Sequence, residues 1–114
     1  MYSTNNISTQ IRTTGWRYTI NDANYTVKYN ETTVCVDVHM ASGVNYSTSE
    51  KEFGADILLD SARNIDLRPS RPIFQYNIAS FWLWIADNTY RVRYQGSTNS
   101  NNRNAFASWT YARK

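Results

Sequence analysis

A single cysteine in 114 residues, Cys35, excludes an internal disulfide framework and any all-cysteine metal site within one chain. The single histidine, His39, lies four residues further along. On an extended strand that is roughly 13 Å, too far for a Cys–His nucleophile pair. Long apolar runs are missing as well: the longest, Ile78 to Ala86, is less than half a membrane span and is internally alternating, so membrane insertion is not expected. The N-terminal ten residues lack the basic-then-apolar order of a secretory signal. No segment keeps a 3.6-residue period, and no phosphate loop, metal-ligand spacing or nucleophile motif is present. Only 18% of residues are charged, and the net charge of +3 is spread among interspersed acids and bases, which does not call for nucleic acid.

What fills the chain instead is Asn, Ser and Thr together with nine tyrosines and four tryptophans. That mixture favours strands and polar loops. One domain is expected at this length. Met1 to Thr14 reads as a linker or neck remnant with only Ile7 and Ile11 to pack, and residues 15–114 as the domain proper. Trp16 to Ile20 opens the first strand. Tyr25, Val27 and Tyr29 alternate with Thr26 and Lys28, and Asn30-Glu31 turns the chain into Thr32 to Met40. There Val34, Val36, Val38 and Met40 share one face and Cys35, Asp37 and His39 the other. Ala41 to Glu50 is expected as a polar loop or short irregular strand, and Phe53 to Leu59 as a strand or brief helix. Pro69 and Pro72 make Leu67 to Pro72 a rigid, non-helical connection. Gly96 to Asn104 reads as a long loop before a last strand over Ala105 to Tyr111. The fold class is all-β: seven to nine short antiparallel strands closing as a small sandwich or barrel. Sequons at Asn6, Asn24, Asn30 and Asn45 are expected by chance in such a composition and receive no role.

The most informative stretch is Phe81 to Tyr94. Phe81, Leu83 and Ile85 alternate with Trp82 and Trp84; after Asp87-Asn88, Tyr90, Val92 and Tyr94 alternate with Arg91 and Arg93. Folding about Asp87-Asn88 sets Trp84 opposite Arg91 and Trp82 opposite Arg93, within reach of guanidinium–indole stacking. Flat aromatic surface beside hydrogen-bond donors suits a planar or ring-shaped polar ligand such as a sugar, a base or a phosphorylated glycan. The same face would serve equally as a seam between sheets or subunits.

The order of elements resembles the C-terminal head domains of bacteriophage tail-fibre and baseplate receptor-binding proteins. The resemblance rests on Thr14-Gly15-Trp16-Arg17, on Val27-Lys28-Tyr29 leading to Val34-Cys35-Val36, on the connection Leu67 to Pro72, and on Ile85-Ala86-Asp87-Asn88-Thr89-Tyr90-Arg91-Val92. It covers about Gly15 to Tyr111. The connection lacks the Leu-Pro of the family pattern, and Asn88 replaces the turn glycine, a position Asn tolerates. The resemblance implies a homotrimeric head, other tail or baseplate proteins as partners, and residence in the virion after synthesis in the bacterial cytoplasm. It also implies a host cell-wall or surface saccharide as ligand; the lack of metal, nucleophile and phosphate-loop motifs makes a binding module without catalysis or cofactor the expectation.

On that reading Trp82 and Trp84 stack on sugar faces, Arg91 and Arg93 bind hydroxyls or phosphates, and Asp37 with His39 completes a polar rim. No metal or catalytic residue is assigned, since nothing in the spacing of Asp37, Glu52, Asp56, Asp60, Asp66 and Asp87 singles out a carboxylate pair. Two alternatives come from other classes. An OB-like barrel would place the Trp/Arg face on single-stranded nucleic acid, a reading that the dispersed acids and scarce lysines rank lower. A purely structural trimerisation cap would bury the same face.

Overall fold

The computed structural model describes residues 15–53, 55–73, 76–78, 81–98 and 100–114. The lead-in expected over residues 1–14 lies outside them. Ten strands run in chain order: β1 (Tyr18–Asn21), β2 (Tyr25–Tyr29), β3 (Thr33–Tyr46), β4 (Lys51–Glu52), β5 (Leu59–Asp60), β6 (Ile65–Asp66), β7 (Tyr76–Ile78), β8 (Phe81–Ile85), β9 (Val92–Gly96) and β10 (Ser100–Ala112). No helix forms among the described residues. The strands make two antiparallel four-stranded sheets, β1-β2-β3-β10 and β4-β9-β8-β7, with β5-β6 as a separate small hairpin. Of the sandwich and barrel expected from sequence, the chain forms the sandwich.

Period-two alternation explains why the sheets face each other. Val27, Val36 and Trp109 fall in one row of the first sheet and are buried; Phe81, Leu83 and Ile85 on β8 are fully buried from the opposite side. Aromatic contacts knit the layers: Tyr46 stacks on Phe81 at 4.7 Å between centroids, Tyr25 meets Phe53 at 5.7 Å, and Tyr76 meets Trp109 edge-on at 6.4 Å. Buried tyrosine hydroxyls find acceptors, as their desolvation requires. Tyr25 donates to the Ala55 carbonyl, Tyr111 to that of Leu67, and Tyr29 to the Asp60 carboxylate, which Arg63 also grips at 2.9 Å. Asn64, at φ 57°, supplies the left-handed residue that closes the β5-β6 hairpin.

The Asn30 turn forms as expected. Its buried side chain accepts from the Thr32 and Thr33 amides and donates to the Gly15 carbonyl. Four segments differ from expectation in whole or in part. The first strand begins at Tyr18, leaving Trp16 exposed. Of the loop or short irregular strand expected over Ala41 to Glu50, the first part is strand, continuing β3 to Tyr46; the loop expected over Gly96 to Asn104 instead ends β9 at Gly96 and starts β10 at Ser100. The two polar stretches pair with each other, Ser100 opposite Tyr46, with register shifts between Ser100 and Ala105. Phe53, Ile57 and Leu58 are buried from a turn-rich segment that is neither the continuous strand nor the helix expected. Its amides at Phe53 and Leu58 bond to the carbonyls of Val92 and Tyr90.

Candidate functional site

The Trp/Arg face forms, with a different register. Trp84 lies opposite Arg93 and Trp82 opposite Gln95, so the pairing of Trp84 with Arg91 and of Trp82 with Arg93 is corrected by two residues. The cause is local. Thr89, Tyr90 and Arg91 are drawn out of the ladder: the Tyr90 carbonyl accepts the Leu58 amide at 2.9 Å, the Tyr90 ring carries the Arg68 guanidinium at 4.3 Å, and Arg91 Nε bonds Asp56 at 2.7 Å. The strands therefore join through the six residues 86–91 rather than through a tight turn at Asp87-Asn88. A shift of two keeps every side chain on its face. Trp82 and Trp84 still point away from the core and are half-buried.

Arg93 does not lie over an indole. Its Nη1 bonds Glu50 at 2.9 Å and its Nε bonds Glu52 at 3.3 Å. Glu52 is its cross-strand neighbour on β4, so one row of the outer face reads Glu52, Arg93, Trp84. The neighbouring row reads Gln95, Trp82, Asn77. Segment 47–50 is held against β9 by two bonds, from the Gly96 amide to the Ser47 carbonyl at 2.8 Å and from Gln95 Nε2 to the Thr48 carbonyl at 2.6 Å. These tethers bring Glu50 over the sheet. On the far side Ile73 is anchored by its amide to the Ile85 carbonyl at 3.1 Å. Between them lies an open depression of about 440 Å³ whose described lining is Glu50, Ile73, Trp84 and Gln95.

That depression offers one indole face, a carboxylate and an amide. The indole N–H groups of Trp82 and Trp84 have no hydrogen-bond partner among the described residues, which leaves two donors for a ligand. Arg91 stands apart, paired to Asp56, whose carboxylate raises the guanidinium pKa above its ordinary value. Neither arginine is a free cation.

Asp37 and His39 lie elsewhere. Both sit on the outer face of β3, pointing away from the core, whereas Trp82 and Trp84 are on the outer face of the other sheet. The two groups occupy opposite sides of the sandwich, so Asp37 and His39 do not complete a rim around the tryptophans of the same chain. Asp37 accepts from Ser108 Oγ at 2.6 Å and lies 3.9 Å from Lys28 Nζ; His39 is exposed across from Phe106. Among the described residues no group of three or more His, Cys, Asp or Glu side chains converges as a metal site.

Glu50, Ile73 and Gln95 are the lining residues that sequence reasoning missed. Gln95 continues the Arg91–Arg93 alternation and was open to discovery from period two alone. Glu50 depends on the Thr48–Gln95 bond, which spans 47 positions and leaves no local signature. Comparisons with protein-family models, curated proteins and solved structures find no match for this chain.

Proposed function

We propose that the chain is a non-catalytic receptor-binding head of a phage tail fibre or baseplate, gripping a host cell-surface saccharide on the outer face of the β4-β9-β8-β7 sheet. One observation carries the reading: Trp84 lines a depression edged by Glu50 and Gln95, Trp82 follows two residues away on the same outward face, and neither indole N–H has a hydrogen-bond partner among the described residues. Pyranose rings present an apolar face that stacks on indole and a rim of hydroxyls that need fixed acceptors and donors. Trp84 supplies the platform, Trp82 extends it along the strand, Glu50 accepts hydrogen bonds from sugar hydroxyls, and Gln95, with its amide nitrogen held by Thr48, keeps its carbonyl oxygen for the ligand. Arg93 positions Glu50 and Glu52. The resemblance in the strand order supports placing the domain in a virion, as a homotrimer joined to other tail proteins.

A glycan array with the unmodified chain and with Trp84→Ala tests the reading. Binding to a defined set of cell-surface glycans is expected, and Trp84→Ala should lose about 1–3 kcal/mol, the scale of aromatic stacking elsewhere. Unchanged binding by the variant would remove this face from the account. Light scattering at micromolar concentration should return three chain masses; a clean monomer would overturn the trimer.

A further inference from the structure

Resting on the saccharide reading, we propose that the Trp84 depression selects pyranose rings free of phosphate and carboxylate groups. An aromatic face flanked by arginines invites the opposite expectation, an anionic glycan. The side-chain partners reverse it. Arg93, the guanidinium across from Trp84, bonds Glu50 and Glu52 through two different nitrogens. Glu50, Glu52 and Arg93 together carry one negative charge, and Glu50 is the member that lines the depression.

Arg91 and Lys51, the other cations on or beside β4 and β9, do not compensate. Arg91 is neutralised by Asp56. Lys51 is opposite Tyr94, whose ring packs on Phe53 in the core, so it belongs to the other side of the strand from Glu52 and Arg93. The Glu50 side chain is 53% exposed. With one of its oxygens held by Arg93, the other has no hydrogen-bond partner among the described residues and is placed to accept a ligand hydroxyl or amine. A phosphate monoester brought to the same place is mainly the dianion at neutral pH, with no proton to offer, and meets a like charge. To use Arg93 it would have to displace two carboxylates.

The selectivity is therefore held in Glu50 and Glu52 and is removable. The test measures binding of the full chain to pairs of immobilised oligosaccharides that differ only by a phosphate, such as mannosides with and without a 6-phosphate, and by a carboxylate, such as glucosides and glucuronides. Glu50→Gln and the double variant Glu50→Gln/Glu52→Gln are run beside the unmodified chain. The unmodified chain should favour the uncharged member on the order of five- to tenfold, the effect of one unit charge at contact distance in water. Glu50→Gln, at an exposed loop position, should narrow the gap, and the double variant should close or invert it by freeing Arg93. Preference of the unmodified chain for the phosphorylated or carboxylated member, or a ratio unmoved by both variants, would overturn the selectivity while leaving saccharide binding standing. Failure to bind any glycan would overturn both.

Discussion

Trp84 and Arg93 face each other across β8 and β9, and Arg93 gives its guanidinium to Glu50 and Glu52 instead of to the indole. Arg91, two residues earlier, is outside the ladder and tied to Asp56. The two arginines, equivalent in the sequence pattern, therefore have different consequences. Arg93→Ala should weaken glycan binding, because Glu50 and Glu52 lose the cation that holds them side by side. Arg91→Ala should leave binding unchanged. Both should change the melting temperature little, since partly exposed ion pairs contribute about 0.2–1 kcal/mol. Isothermal titration and thermal melts of the two variants check this, and equal losses of affinity would contradict it.

Gly96 ends β9, opposite Phe81 at the open end of the same hairpin, and is buried. A Cβ placed there would lie 2.1 Å from Tyr46 Cδ1 and 2.8 Å from the Thr98 carbonyl. The Tyr46 ring cannot yield freely because it is stacked on Phe81, which pairs with Gly96 across the strands. Gly96→Ala should cost about 1–3 kcal/mol by overpacking, read from urea unfolding. It should also disturb glycan binding, since the Gly96 amide tethers Ser47 and, through it, the segment carrying Glu50.

Stability should fall at high pH. Burial, reinforced by the Asp60 carboxylate, raises the Tyr29 hydroxyl to about 12. Burial likewise raises Tyr25 and Tyr111. In the unfolded chain a tyrosine ionises near about 10. The folded state holds the proton more tightly, so this contribution is complete below about 10 and is lost as pH rises through the folded value near 12. Tyrosinate absorbance from these residues should rise together with loss of near-ultraviolet circular dichroism. Tyr29→Phe should flatten the pH dependence between those values and cost about 1–2 kcal/mol at neutral pH by leaving Asp60 short of a partner. Ionisation of all nine tyrosines near pH 10 in a fully folded chain would contradict the packing described.

The faces of the strands were legible in the sequence and their pairings were less so. Val34, Val36 and Val38 announce an inward face by period two, and Trp82 and Trp84 an outward one. Register depends on what captures the turn. The bond between Leu58 and Tyr90 and the stacking of Arg68 on Tyr90 take residues 89–91 away from the hairpin, and no local pattern signals either contact. The polar stretches ending β3 and starting β10 carry little hydrophobic alternation in the sequence, so their pairing leaves no period-two signal. The opposition of Asp37 and His39 to the tryptophans is a matter of layer order, which emerges only when both sheets are in place.

A saccharide site at Trp84 would show itself in the indole N–H signals of the four tryptophans, followed in a two-dimensional nitrogen–proton NMR titration with the array's strongest glycan. The Trp84 signal should move most and that of Trp82 should follow, while those of buried Trp109 and of Trp16, near the first strand, stay in place. Saturable binding with the Trp84 signal unmoved, and shifts instead at Trp16 or around His39, would place the ligand elsewhere and rule out a site at Trp84.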